Sequence, residues 1–224
     1  MRYSFRGALI ACFLFFIGSV AIGQGRFSYV PVDFEVNLTA APMLDSNLEK
    51  DPLYAGLTEF QQDMIYYINY VRMYPARFCK EALDPYLKAY PQLKPNYGES
   101  LRKQLLAADA LPIFYPDSKL IEAAKYHSVD LAKHKLMSHS SSNGTSMQQR
   151  FQKFGIYCGS ECVNMSPYSD ALDVLLSLLV DYNVPDLGHR KAIMNGSMIN
   201  LGVGSSNSSD YMQYTVIDFG CANQ

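Results

Sequence analysis

From Thr58 onward, apolar residues fall into periods that lay out most of the chain. Phe60, Met64, Tyr67, Ile68 and Val71 recur at helical spacing behind a Thr58–Gln61 capping box, and Pro75 closes the segment. A second helix is predicted from Asp117, its N-cap, with Leu120, Ala124, His127 and Leu131 on one face. Thr145 and Gln148 form another capping box, which predicts a helix running to Phe154 and stopped by Gly155. Ile156–Asn164 alternates as a strand does, placing Glu161 on one face with Gly159 and Val163, and Cys158, Ser160 and Cys162 on the other. Ser169 or Asp170 caps a strongly apolar helix over Ala171–Val180. Val184–Gly188 is a turn and Arg190–Met194 one helical turn. Met198–Ser205 and Tyr211–Cys221 read as two strands joined by a polar hairpin loop. Helices first, then strand, helix and two strands give an α+β domain with an antiparallel sheet between helices.

The remaining stretches set the boundaries. Residues 1–23 carry Arg2 and Arg6, an apolar run over Gly7–Ile17 and a small-residue end at Ala21-Ile22-Gly23. That pattern predicts a secretory signal peptide, with a mature chain from Gln24 and an extracellular or periplasmic location. Residues 24–57 have no clear period and are expected to be an irregular N-terminal arm with a short strand at Phe27–Val36. Residues 79–111 hold two helical pieces, Lys80–Tyr90 and Glu99–Ala108, split by Pro91 and Pro95. They form a helical elaboration within a single domain over 58–221.

Composition narrows the function classes. A net charge of -2 lacks the basic field that nucleic acid requires. Beyond the signal peptide no apolar run reaches the ~20 residues of a membrane span. Export would leave four cysteines, Cys79, Cys158, Cys162 and Cys221, and in an oxidising compartment an even count predicts two disulfides. On an extended strand Cys158 and Cys162 stand ~13 Å apart, beyond the ~7 Å a disulfide spans. One therefore pairs with Cys79 and the other with Cys221, in either order.

The chemistry centres on few residues. Of four histidines, His139 and His189 sit in turns rich in Gly, Ser or Pro, where side chains can face a cleft. Glu161 follows Gly159-Ser160, and Asp181 ends the apolar helix. Two imidazoles and one or two carboxylates are a ligand set for zinc or another divalent ion, and without metal the same groups do acid–base work. His127 falls on a buried helix face and reads as a core histidine with one partner; His134 suits a helix C-terminus. Asn69 and Arg72 fit a solvated helix face. A Gly-x-Ser-x-Gly elbow and a phosphate loop are both absent from the sequence.

Together these segments resemble the CAP superfamily of SCP-like extracellular domains, and its bacterial branch in style. Asn69-Tyr-Val-Arg72 is similar to the first-helix Asn-x-x-Arg signature, and Leu120–His127 with Asp130-Leu-Ala to the second helix. Met137-Ser-His139 resembles the first histidine turn, Gly159-Ser-Glu161 the Gly-Glu strand, and Gly188-His189-Arg190 the second histidine segment. Leu201-Gly-Val-Gly204 and Tyr214–Phe219 resemble the last two strands. The resemblance implies a three-layer α-β-α sandwich and a cleft lined by two His and two acidic residues, holding zinc in some members. His139, Glu161 and His189 match three of those positions, with Asp181 as the candidate for the fourth. Three functions follow: a binding or interaction module for a small ligand, lipid, peptide or ion; a metal-dependent hydrolase with Glu161 as base; or a purely structural cleft.

Overall fold

A computed structural model describes residues 34–167 and 170–221. The segment expected to be a signal peptide and nearly all of the expected strand at Phe27–Val36 lie outside the described residues, and residues 34–36 carry no strand. The helices are α1 (Pro42–Leu48), α2 (Pro52–Ala55), α3 (Glu59–Met73), α4 (Pro75–Phe78), α5 (Asp84–Ala89), α6 (Glu99–Ala107), α7 (Ser118–His134), α8 (Met147–Lys153), α9 (Ala171–Val180) and α10 (Gly188–Ile193). The strands are β1 (Tyr115–Pro116), β2 (Gly159–Ser166), β3 (Met198–Asn207) and β4 (Gln213–Cys221), in the sheet order β1-β3-β4-β2.

β2, β3 and β4 pair antiparallel, as expected. The sheet is nonetheless mixed, because β1 pairs parallel with Asn200 and Leu201 of β3. Two residues carry no period, so that strand leaves no trace in the hydrophobic pattern.

Register sorts the side chains onto two faces. Leu201, Val203, Ile217, Phe219 and Cys162 join the large core with α3 and α9. On the opposite face Val163, Tyr214 and Val216 pack with Ala124 and Leu131 of α7. That arrangement is the α-β-α sandwich. The α7 layer lies unusually close to the sheet. A Cβ on Gly202 would stand 2.1 Å from the Leu120 carbonyl carbon, and one on Gly204 2.3 Å from that of Ala124. The glycines of β3 are thus the floor on which α7 rests, which a hairpin strand alone does not require.

The caps follow the sequence with one shift. Gln61 Oε1 accepts from the Thr58 N–H at 3.1 Å and its Nε2 donates to Val203 O at 2.6 Å, so the α3 cap also ties the helix to β3. Asp117 and Asp170 cap α7 and α9. The second capping box is Ser146 with Gln149, not Thr145 with Gln148. Consecutive cap formers followed by consecutive glutamines make the two registers equivalent in sequence; Ser146 Oγ takes the Gln149 N–H.

The N-terminal arm is more ordered than expected. Prolines start both α1 and α2, and Asp51 caps the latter. Phe34 stacks edge-on against Tyr86 and Tyr90 of the elaboration. Thr39 donates to Glu81 through both N and Oγ1, and Tyr70 bridges Thr39 O and Glu81 Oε2.

The disulfide expectation needs correction. Cys158 pairs with Cys221, with Cα atoms 5.7 Å apart, while Cys79 and Cys162 are buried free thiols. Cys79 Sγ faces Arg102 O and Cys162 Sγ faces His189 O, each inside its own packing environment. The strand argument holds only in that Cys158 and Cys162 are not bonded to each other; Cys158 takes Cys221 and Cys162 stays a thiol. The even count, however, does not translate into a second bond.

Candidate functional site

Glu161 stands on β2 opposite Asp218 of β4, on the face under α7. Its side chain is fully buried. Oε1 accepts from His139 Nδ1 at 2.8 Å, and Oε2 is ion-paired with Arg150 Nη2 from α8. Arg150 is itself buried, and its Nη1 donates to His139 O and Ser141 Oγ, which fixes the histidine turn. His127 of α7 lies 3.9 Å from Oε1. Its Nε2 donates to Ser138 O at 2.9 Å, so the ring carries its proton on Nε2, and Nδ1 is left without a partner. The sequence reading of a core histidine with one partner is therefore correct, but that core is the floor of the site.

The charges are set by this packing. Burial alone would raise the Glu161 carboxyl, but the His139 hydrogen bond, Arg150 and the two imidazoles outweigh it and hold the group below its usual range. Burial pushes Asp218 well above the ordinary carboxyl range, and the Glu161 charge adds to the shift. Asp218 is fully buried, and neither oxygen has a partner at hydrogen-bonding geometry. Burial thus favours its protonated form. His127 is lowered, chiefly by burial, and stays neutral.

A second pair is built between the end of α9 and the start of α10. Asp181, the C-cap of α9, has a left-handed backbone (φ 57°) and a fully buried side chain. Its Oδ1 accepts from His189 Nδ1 at 2.6 Å and its Oδ2 from the Arg190 N–H at 3.1 Å. A cavity of about 10 Å³, enough for one water, lies beside His189. Asn164 lines it, with a buried Oδ1 that lacks a partner.

The four candidates thus form two His–carboxylate pairs, His139–Glu161 and His189–Asp181. In each pair the carboxylate accepts from Nδ1, which leaves Nε2 outside the pair. The His139 side chain is 39% exposed and that of His189 12%. A resident zinc or similar ion takes three or four donors. Both oxygens of Glu161 and both of Asp181 are already engaged, so the set supplies two imidazole nitrogens and no carboxylate. Among the described residues no group of three or more His, Cys, Asp or Glu side chains converges as metal ligands do. The residues present do not fit a resident metal centre.

Sequence reasoning missed Arg150 and Asp218 and misplaced Asn69 and Arg72. Asn69 is buried and exchanges hydrogen bonds with Phe114 N and O. Arg72 is buried, stacks 3.7 Å over the Phe114 ring, and donates to Pro112 O, Ile193 O and Asn195 O. Burial lowers its pKa to about 10. These two residues lock α3 to the strand β1 and to the end of α10, so they are internal braces and not a solvated face.

No curated protein sequence matches the chain. Among solved structures, an extracellular SCP-domain protein of Bacillus anthracis is similar at 20% identity and TM-score 0.47, covering 72% of this chain and 40% of its own length. The chain thus spans well under half of that protein. An outer surface protein of Borrelia burgdorferi is similar at 24% identity and TM-score 0.43, covering 58% of this chain and 92% of that one. NaASP2, crystallised with Zn2+, is similar at 15% identity and TM-score 0.47, covering 74% and 81%. No described helix is long and apolar enough to cross a membrane. The family pattern itself covers residues 65–219, from α3 to the last strand, and the chain belongs to the cysteine-rich secretory protein (CAP) family.

Proposed function

We propose that the chain is an exported CAP module that binds a ligand in its cleft and does not hydrolyse it. One observation carries this reading: both cleft carboxylates are buried and fully engaged by internal partners. A general base must reach the proton it removes and have a pKa near the working pH. Glu161 is held low by its partners and is out of solvent contact. It acts instead as an orienting group, as Asp181 does, fixing each imidazole so that Nε2 faces outward as an acceptor. A ligand that presents hydrogen-bond donors, such as a peptide amide or an ammonium group, matches two such acceptors. Export through residues 1–23 and a module over 58–221, braced by the arm and the 79–111 segment, belong to the same reading. The -2 net charge supplies no overall basic field for nucleic acid.

The test uses mature protein with a peptide and ester panel, with and without added zinc. No turnover is expected in either arm. Turnover that disappears in folded Glu161→Gln would overturn the binding reading in favour of a hydrolase.

A further inference from the structure

Arg190 is the third large buried arginine, 2% exposed, and no carboxylate accepts from its guanidinium. It is satisfied by oxygens from two separate parts of the chain. Nε donates to Leu179 O at 2.8 Å and Nη2 to Val180 O at 3.0 Å, the orphan carbonyls at the end of α9. Nη2 also donates to Tyr97 O at 3.1 Å and Nη1 to Ser100 Oγ at 2.8 Å, both in the 79–111 segment. The next residue of α9's exit is Asp181, whose backbone is left-handed. Its Oδ2 takes the Arg190 N–H and its Oδ1 takes His189 Nδ1. An unbroken chain of bonds therefore runs from Ser100 and Tyr97 through Arg190 to the end of α9 and the His189 ring.

We propose that Arg190 is a positioning residue for the His189 imidazole, and that the 79–111 segment acts on the cleft through it. The segment lacks motif residues of the resemblance, yet it supplies two of the four oxygens that hold the guanidinium. A guanidinium brings five N–H donors to these four acceptors, whereas a lysine ammonium at this position would bring three. The proposal rests on the cleft described above, but it needs no ligand.

The experiment is proton–nitrogen NMR of the ligand-free mature chain at pH 8, following exchange of the two imidazole Nδ1–H protons with solvent. His139→Gln and His189→Gln assign them. Losing one hydrogen bond to a charged group corresponds to about a tenfold change in a local opening equilibrium. Exchange at His189 should rise about tenfold in Ser100→Ala, further in Arg190→Lys, and return in Ser100→Thr, with His139 unchanged throughout. Ser100 lies on the surface, so its variant keeps the measurement available if Arg190→Lys does not fold. Unchanged His189 exchange in folded Ser100→Ala, or equal acceleration at His139 and His189, would overturn the proposal. Turnover in the panel above would leave it standing while removing the binding reading.

Discussion

Replacing Glu161 by Gln isolates the charge that holds the cleft together. Gln keeps an oxygen for His139 Nδ1, so that hydrogen bond survives. It removes the counter-ion of Arg150, whose side chain is fully buried with Nε already lacking a partner. Breaking a buried pair by removing one member costs roughly 3–5 kcal/mol, because the other charge stays in a dry site. For a domain of this size each kcal/mol moves Tm by about 2–4 °C, so a fall of roughly 6–20 °C is expected. Asp218→Asn is the control. Asp218 lies opposite Glu161 on the same face, but burial favours its protonated form, and its isostere should change Tm by less than about 3 °C at pH 7. The pH dependence follows with opposite signs. Glu161 is depressed in the fold, so its contribution is present above the unfolded pKa of about 4.3 and fades as pH falls through the lower folded value. Asp218 is raised, so its contribution is complete below about 3.9 and fades as pH rises through the folded value. Asn at 218 should therefore extend stability on the alkaline side. Thermal melts of the three proteins from pH 4 to 9 decide the matter. Equal losses from Glu161→Gln and Asp218→Asn at pH 7 would refute this assignment of charge.

Two further outcomes follow from the packing. Thiol titration of mature protein should find no reactive thiol in the native state and two after unfolding, since Cys79 and Cys162 are buried and burial raises both thiols; four thiols, or none, would contradict the single Cys158–Cys221 bond. Gly202→Ala should destabilise the domain by about 1–3 kcal/mol or more in urea denaturation, because the added methyl meets α7 backbone and not a movable side chain. A neutral result would mean that α7 sits further from β3 than described.

Much of the fold was readable because period and caps act locally. Phe60 to Val71, the Asp117 and Asp170 caps and the β4 run each announce an element from its own residues, and α9 ends where the apolar run ends. The site was readable in part. His139, Glu161, Asp181 and His189 stand out as polar groups at turns and strand ends, and the structure pairs them. Their roles were not readable, because each role depends on a partner distant in the chain. Arg150 occupies an ordinary helix position, and nothing in its neighbours points to Glu161. Asp218 belongs to a strand in which only the register with β2 reveals the opposing carboxylate. The second disulfide failed for the same reason: counting cysteines gives parity, while bonding requires two sulfurs to meet. Arg72 and Asn69 looked solvated because polar residues near a helix end usually are; their acceptors are carbonyls on β1's approach and at and just past the end of α10.

The most direct measurement is the tautomer of the two cleft imidazoles. Nitrogen chemical shifts of His139 and His189 in the mature chain at pH 8, where unperturbed histidine is neutral, report which nitrogen carries the proton. Both rings should be protonated on Nδ1, with Nε2 bare, because Glu161 and Asp181 accept there. His127 should show the reverse, with its proton on Nε2 facing Ser138 O. Rings at 139 and 189 protonated on Nε2 would mean that the carboxylates are free, and the cleft would again be open to base chemistry.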